Sequence, residues 1–443
     1  MKNLNKDKFK VAFICHFSNK DVRKKLPLSS FWLKNLIKRT LGDENFAKYS
    51  DFAPWVTNLI IEFEKFEDLE LHVISPHMGL TKGIFEFNEN GGFYHFFKPD
   101  MPLFHSEWPA YWSRNGNPQF KRNRRRVKGF LEHIQPDIVT LIGTENPYYS
   151  ITALDINDFP VFALAQTVYT NPARKKLSGT VDKNIWDIEL QIHNKVKYYG
   201  CGGRMHYDLI KKNNPEAIIF KNFFPIQKPK KVNVFIKEFD YVFFAAGVSP
   251  KKGVEDVLDA LAIVKKTKLD VSLHIVGFCA PNYKLVLNKK ISELGLTKNV
   301  FFKDYFPVHT DMHCYIKKAH VAVLPIKLDV ISGTVIEAML LELPLVTYKT
   351  TGTPYLNKDG VTVLIAEIGD TKALANHMLK LLNDQVYAKE LAVKAKIFVE
   401  TEFNNTKSAK RLLSCLRSAK EHHNNNTPIP NDLLFDLKEF PIY

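Results

Sequence analysis

Short apolar segments alternate with longer amphipathic segments along most of the chain. Apolar positions three and four residues apart predict helices, and compact apolar runs predict buried strands. In the first half, predicted strands lie at residues 11–16, 69–75, 138–142, 161–165 and 198–201, and predicted helices at 51–66, 122–134 and 205–213. In the second half, predicted strands lie at 241–246, 271–276, 300–302, 321–325, 345–347 and 363–365, and predicted helices at 254–265, 283–294, 335–341, 372–383 and 386–401. This alternation is typical of βαβ units, so it predicts an α/β fold with parallel sheets.

The alternation is interrupted at residues 221–239, where Pro225, Pro229 and several lysines follow no clear period, as in a linker. The chain is also longer than the roughly 250–300 residues that one hydrophobic core supports. We therefore expect two Rossmann-like domains facing each other across a cleft, residues 1–222 and 223–404. Residues 405–443 are expected to form a C-terminal helix and tail that cross back to the first domain, with a polar break after residue 422.

The chain is basic, because 62 lysines and arginines against 47 aspartates and glutamates give a net charge of +15. Such an excess favours an anionic partner, which could be nucleic acid, an acidic membrane surface or a phosphorylated substrate. We expect no nucleic acid, because the sequence has no zinc-finger spacing, RNP-like aromatic segment or KH-type loop.

The cysteine pattern and the hydropathy indicate the compartment. Five cysteines without CxxC spacing fit a reducing cytosol and argue against a structural zinc site. No apolar run reaches the roughly 18 residues that a membrane span needs. We expect a cytoplasmic protein, soluble or peripheral at the inner face of the cytoplasmic membrane.

Part of the positive charge is concentrated between Lys121 and Lys128, where six of the eight residues are lysine or arginine. Val127, Phe130 and Leu131 could form the apolar side of the same helix. A basic helix with an apolar stripe can lie on an anionic membrane. The alternative is an ordinary solvated helix whose apolar residues pack inward.

Candidate chemistry is concentrated where the strand at 321–325 leads through a loop into the helix at 335–341. In an open α/β sheet, ligands bind outside the carboxyl ends of strands, where a helix N-terminus offers free N–H groups and a partial positive charge. Ser332, Gly333 and Thr334 supply these groups, and Gly333 lets a phosphate approach the backbone closely.

Glu337 lies one helical turn beyond Gly333, on the same face of the helix and among apolar residues. Its carboxylate can accept hydrogen bonds from the vicinal hydroxyls of a ribose. It can equally be a carboxylate that interacts only with the helix dipole. The residues alone leave both roles open.

Residues 329–354 resemble the donor-binding signature of family 4 of the retaining glycosyltransferases, the glycosyl transferases group 1, whose fold is called GT-B. Asp329 and Glu337 have the spacing of the family's acidic pair, and Glu337 starts its Glu-Ala-Met segment. Pro344 and the glycine turn at 352–354 follow in the family's order. Upstream, residues 250–254 resemble the family's phosphate-binding Lys-Gly turn. Several ordered motifs are a stronger signal than any one of them.

The resemblance implies a transferase that moves a sugar from a nucleoside-diphosphate sugar to a saccharide or lipid-linked acceptor, in surface polysaccharide or glycolipid synthesis. It implies that Lys252 neutralises the donor diphosphate, together with the N–H groups of the helix end. Glu337 would bind the ribose and Asp329 the hydroxyls of the transferred sugar. The family typically needs no metal, and no Asp-x-Asp triplet contradicts this. We expect no metal and no cofactor besides the donor.

Two departures mark the chain as an atypical member of that family. Asp329 stands where the family usually has glutamate, and its shorter side chain reaches less far toward the sugar. Gly247 stands in the donor site where the family usually has an arginine that joins Lys252 at the diphosphate. A module that binds nucleotide sugar without turnover therefore stays open, as does a sugar-nucleotide epimerase on the same fold.

The first half offers four candidate contacts to the acceptor. His16 and Asn19 follow the first predicted strand, where a loop-capping role is the alternative. Glu145 follows the strand at 138–142. Arg204 opens a predicted helix, where it could reach the cleft or pair with Asp208 four residues on.

Overall fold

The computed structural model describes residues 8–28, 53–100, 119–173, 181–226, 228–229, 236–328, 331–357 and 360–440. The chain divides into two compact units. Unit 1 comprises residues 1–202, 206–226 and 405–436, and unit 2 comprises residues 203–205, 227–404 and 437–443.

The sheet of unit 1 has strands β1 (Phe9–Ile14), β2 (Leu69–Pro76), β3 (Ile84–Glu89), β4 (Gly92–Phe97), β5 (Ile138–Ile142), β6 (Val161–Leu164), β7 (Tyr198–Cys201) and β8 (Ile218–Lys221). They lie in the order β3-β4-β2-β1-β5-β6-β7-β8, and all neighbours are parallel except β3 and β4. The helices in this part of the chain are α1 (Lys20–Lys25), α2 (Pro54–Phe63), α3 (Lys121–Ile134), α4 (Pro147–Ser150), α5 (Lys183–Lys195) and α6 (Arg204–Asn213).

The sheet of unit 2 has strands β9 (Phe239–Val248), β10 (Leu273–Cys279), β11 (Val300–Lys303), β12 (Ala319–Leu324), β13 (Leu345–Tyr348) and β14 (Leu364–Ala366). All neighbours are parallel in the order β11-β10-β9-β12-β13-β14. The helices are α7 (Val254–Lys265), α8 (Pro281–Glu293), α9 (His309–Ile316), α10 (Gly333–Leu340), α11 (Thr353–Leu356), α12 (Thr371–Asn383) and α13 (Gln385–Glu402). The predicted α/β fold is confirmed in both halves.

The antiparallel hairpin of β3 and β4 was not predicted. Its turn is Asn90-Gly91, and both residues have positive φ, 49° and 83°. Asn-Gly with this backbone matches the twist of two antiparallel strands, so the dipeptide was an available signal. Phe87 and Tyr94 stack across the hairpin with ring centroids 4.9 Å apart. Aromatic packing between the strands therefore stabilises this edge of the sheet.

The C-terminal helix α14 (Asn405–Asn425) packs into unit 1. Leu412 and Leu416 on its inner face are fully buried in the core of that unit. The helix continues to Asn425, so the polar break after residue 422 begins slightly later than predicted. Nδ1 of His422 lies 2.8 Å from the hydroxyl of Tyr198, which holds this end of the helix against β7.

The basic helix α3 uses its apolar residues for packing. Val127, Phe130 and Leu131 are buried, so they cannot insert into a membrane. The membrane-lying interpretation of this stripe is therefore wrong, and the structure favours the inward-packing alternative. The cations that stay exposed are Lys121, Arg122, Arg125 and Lys128. Among the described helices, none combines the length and the apolar content that crossing a membrane requires.

Candidate functional site

The predicted site lies where two neighbouring parallel strands of unit 2 end. β9 and β12 pair in parallel, with Tyr241 opposite Val321. Because parallel strands end at the same edge of a sheet, the loops that follow them lie side by side. The first loop leads into α7 and the second into α10. A ligand at this edge faces the N-termini of both helices.

The loop after β9 is a tight turn that lies against the loop after β12. Pro250–Lys252 form a 3₁₀ turn, and Gly253 follows with a φ of 79°. A Cβ on Gly253 would lie 2.0 Å from the carbonyl oxygen of Pro325, so the approach requires glycine. The N–H of Lys327 donates to the carbonyl of Lys251 at 3.0 Å. These contacts hold both lysines of the turn at the sheet edge.

The N-terminus of α10 presents an unsatisfied polar group. Ser332 is its N-cap residue, and only 6% of the residue is exposed. Among the described residues, its Oγ has no hydrogen-bond partner and does not cap the helix. Gly333 next to it is exposed, and a Cβ there would meet nothing within 4 Å. A buried hydroxyl without a partner costs free energy unless a ligand or water satisfies it.

The hydroxyl of Ser249 is a second buried group of the same kind, and it was not predicted. Ser249 precedes the lysine turn after β9, and its Oγ also has no partner among the described residues. Ser249 and Ser332 therefore follow neighbouring strands, and each begins a helical turn. Two orphan hydroxyls beside a lysine pair and a helix N-terminus suit an anionic ligand with several oxygen atoms.

Glu337 is bound by two imidazoles. Its Oε1 lies 2.7 Å from Nε2 of His313 and 3.1 Å from Nε2 of His309. Burial alone would raise the pKa of Glu337, but the hydrogen bonds and charges of the two histidines outweigh burial and hold that pKa below its ordinary value. The same hydrogen bond raises the pKa of His309. Glu337 is thus held as a carboxylate.

The two histidines were not predicted as site residues, since no helix was predicted at α9. Their signal was the spacing of four residues, which places both rings on one helix face. The ring centroids lie 4.5 Å apart. Which third residue they contact could not be read from this spacing.

Three further predicted residues have different outcomes. Asp329 lies outside the described residues, so its role stays a prediction. Thr334 is half-buried in the first turn of α10. Gly247 is exposed at the end of β9, and a Cβ there would meet nothing within 4 Å. The missing arginine is therefore not excluded by packing.

Comparison with known proteins identifies the domain that carries this site. Residues 226–398 match the family model of the glycosyl transferases group 1. The match spans less than half of the chain, so it concerns this segment of unit 2. The matched segment contains the lysine turn, Ser332 and Glu337, so the family match and the geometry concern the same part of unit 2.

Two curated glycosyltransferases are similar to this chain. The capsular polysaccharide biosynthesis glycosyltransferase CapM of Staphylococcus aureus is 25% identical over 182 residues, which are 40% of this chain and 45% of CapM. The amylovoran biosynthesis glycosyltransferase AmsK of Erwinia amylovora is 25% identical over 199 residues, 43% of this chain and 48% of AmsK. The similarity thus spans less than half the length of either relative.

Solved structures show the fold over nearly the whole chain. Sucrose-phosphate synthase from Thermosynechococcus elongatus has a TM-score of 0.65 and 14% identity, and the match covers 93% of this chain and 98% of the synthase. Anabaena HepE, solved with UDP and glucose, has a TM-score of 0.62 and 15% identity, over 93% of this chain and all of the HepE chain. The chain therefore has a GT-B-like fold.

In unit 1, His16 and Glu145 follow the paired strands β1 and β5. The hydroxyl of Tyr148 lies 3.2 Å from Nδ1 of His16, and burial lowers the pKa of that histidine. Glu145 accepts a hydrogen bond from Gln166 at 3.3 Å. The two predicted side chains thus lie at one sheet edge, and their contact with an acceptor stays a prediction.

Asn19 and Arg204 have other positions. Oδ1 of Asn19 accepts from the N–H groups of Asp21 and Val22 at 3.0 and 2.9 Å, so it caps α1 as the alternative interpretation proposed. Arg204 is half-buried at the start of α6, in the short stretch 203–205 that groups with unit 2. Both of its predicted roles stay predictions.

Proposed function

We propose that this chain is a retaining glycosyltransferase that moves a sugar from a nucleoside-diphosphate sugar to a saccharide or lipid-linked acceptor. The observation that carries the proposal is the buried, unpartnered hydroxyl of Ser332 at the N-terminus of α10, beside the lysine turn of a group 1 domain. Residues 223–404 would bind the donor and residues 1–222 the acceptor.

The proposed chemistry follows from charge. As the glycosidic bond breaks, the nucleoside diphosphate leaves with increasing negative charge on its phosphate oxygens. Lys252, the hydroxyls of Ser249 and Ser332 and the N-terminus of α10 are placed before the reaction begins, so they stabilise that charge without reorganising. Oriented donors of this kind lower the barrier more than mobile water does.

Glu337 and Asp329 would bind the ribose and the transferred sugar of the donor. Because Glu337 is ionised and mostly buried, its carboxylate can accept from both ribose hydroxyls once the imidazoles give way or share it. Asp329 would bind the transferred sugar. HepE was solved with UDP, so UDP-sugars are the first donors to test.

The acceptor class and the location are also proposals. The names of CapM and AmsK connect both relatives with polysaccharide biosynthesis, and we propose the same kind of pathway for this chain. We further propose a cytoplasmic protein that attaches to the membrane surface through the exposed cations of α3, by charge alone.

The test is sugar transfer by the purified full chain. UDP-, GDP-, ADP- and dTDP-sugars are offered with oligosaccharide and lipid-linked acceptors, and nucleoside diphosphate release and glycosylated product are measured together. Ser332→Ala should lower kcat/KM about ten- to a hundredfold, because a hydrogen bond to a charged group is lost in the transition state. Ser292→Ala on the exposed side of α8 should leave kcat/KM unchanged. Equal activity of the Ser332→Ala variant and the wild type would refute the site.

A second candidate is a module that binds nucleotide sugar without turnover. Two observations favour it. Gly247 stands where the family usually has an arginine, so the site has one cation fewer. His309 and His313 already bind the carboxylate of Glu337. Tight binding of a nucleotide sugar with no nucleoside diphosphate release, across all donors and acceptors, would establish this candidate in place of the first.

A further inference from the structure

We propose that His309, His313 and Glu337 form a site for one divalent transition-metal ion of the Zn²⁺ class. Two nitrogen atoms and one carboxylate oxygen converge there from α9 and α10. The three ligand atoms lie within 4.8 Å of one another. The site contains no cysteine, so the cysteine spacing that argued against structural zinc does not bear on it.

The distances come close to those that a metal of this size requires. In a tetrahedral zinc site, metal–ligand bonds of about 2.0–2.2 Å place neighbouring nitrogen and oxygen atoms about 3.3 Å apart. Here Nε2 of His309 and Nε2 of His313 lie 3.1 and 2.7 Å from the same carboxylate oxygen. A movement of a few tenths of an ångström per side chain, within ordinary rotation of the glutamate, would open room for the ion.

The backbone already holds two ligands in register. His309 and His313 are four residues apart on α9, so their rings project from one helix face. This is the spacing that metal-binding helices use for a histidine pair. Glu337 comes from a different helix, and its carboxylate closes the third side.

The three proposed ligands differ in their exposure to solvent. The side chains of His313 and Glu337 are 3% and 17% exposed, whereas that of His309 is 45% exposed. Two ligands are therefore fixed and the third faces solvent, which leaves an entry path and a fourth position for water. Three protein ligands with an open position are the arrangement of catalytic, not structural, zinc sites.

The donor set also selects the metal. Imidazole nitrogen suits Zn²⁺, Co²⁺, Ni²⁺ and Cu²⁺, whereas Mg²⁺ and Ca²⁺ prefer oxygen ligands only. The site is therefore distinct from a magnesium–diphosphate complex. In the proposed function, Glu337 binds the ribose of the donor. A metal ion bound to Glu337 would therefore compete with the donor, and this competition is the one point that rests on the proposed function.

The test uses the full chain, stripped of metal with a chelator, dialysed and free of nucleotide. Co²⁺ is added and the visible absorption of tetrahedral cobalt is followed, and Zn²⁺ binding is measured by calorimetry. We expect one ion per chain with a Kd on the order of micromolar. His313→Ala, His309→Ala and Glu337→Gln should each weaken binding at least tenfold, with thermal unfolding measured to confirm that each variant is folded.

His320→Ala is the matched control, because this half-buried histidine of unit 2 contacts Gln385 and lies outside the cluster. It should bind Co²⁺ like the wild type. The proposal is overturned if the wild type shows no cobalt band and no Zn²⁺ heat, or if the double variant His309→Ala/His313→Ala binds as tightly as the wild type. Since no sugar nucleotide is present, a failure of the transferase proposal leaves these outcomes unaffected.

Discussion

Single residues decide how strongly this site can bind an anion. Gly247 is the clearest case, because the family usually has an arginine there and the position is open in the structure. Its φ is not in the left-handed region, so a side chain would meet neither steric nor backbone strain. The departure therefore removes a charge without a packing reason, and a cation can be put back.

Gly247→Arg should raise kcat/KM for the best nucleotide sugar by up to about tenfold, because a second cation at the diphosphate stabilises the leaving group. The gain should shrink at high salt, which screens charges. Gly129→Arg adds the same charge at an open glycine of α3 in unit 1 and serves as control. No gain, or an equal gain in both variants, would show that position 247 does not face the donor.

His206 makes stability depend on pH. Burial, with a smaller effect of the nearby His193 charge, lowers the pKa of His206 from 6.5 to about 4. Between these values the unfolded chain binds a proton that the folded chain does not, so stability falls as pH falls through this window. The full effect is about 3 kcal/mol of unfolding free energy. His77 and His274 have pKa values lowered to about 4 as well, so His206→Leu should reduce the slope of stability against pH between 6.5 and 4 and not abolish it. Urea unfolding at several pH values measures this slope, and an unchanged slope would contradict the assignment.

At the scale of elements, the site depends on the packing of the loop after β9 against the loop after β12. Gly253 begins α7 in a left-handed conformation, and its Cα approaches the carbonyl of Pro325 at the end of β12. The lysine turn and the loop that approaches α10 are therefore packed together as one element. The Lys-Gly pair was visible in the sequence, but its partner Pro325 lies about 70 residues away and only the β9–β12 pairing brings them together.

Gly253→Ala tests this coupling. Gly369 also has positive φ, 87°, but open space around it, so Gly369→Ala reports the cost of the conformation alone, about 1–2 kcal/mol. Gly253→Ala should cost clearly more, by about 2 kcal/mol or more, because the added methyl also clashes with the carbonyl of Pro325. Urea unfolding of both variants checks this, and equal losses of stability would show that the close approach is not required.

At the scale of the molecule, the net charge of +15 suits anionic partners, and α3 presents four exposed cations. Its apolar residues belong to the core of unit 1. Attachment to a membrane by this helix can therefore use charge and not insertion, which makes it weak and dependent on salt.

The triple variant Lys121→Glu, Arg125→Glu, Lys128→Glu should abolish cosedimentation with anionic vesicles at low salt, since each cation near the surface contributes about 1 kcal/mol. Wild-type binding should disappear at high salt and with neutral vesicles. The control variant reverses three cations of unit 2, Lys289→Glu, Lys298→Glu and Lys372→Glu. Equal loss in both variants would assign binding to the overall charge, and binding that survives high salt would contradict a purely electrostatic contact.

The sequence by itself determined the α/β class and most strand positions, and it indicated where the proposed donor site lies. These depend on local patterns, because apolar runs, a glycine turn and a helix start are written in consecutive residues. Ser332, Gly333 and the Lys-Gly turn were found in this way.

Only the tertiary structure decided what the side chains contact. Glu337 was expected to face a ribose, and the packing of α9 against it supplied two imidazoles from more than twenty residues away. The apolar stripe of α3 is a second example, because a helix that lies on a membrane and a helix that packs in a core have the same sequence pattern. Only the surrounding sheet and helices decide which surface covers the stripe.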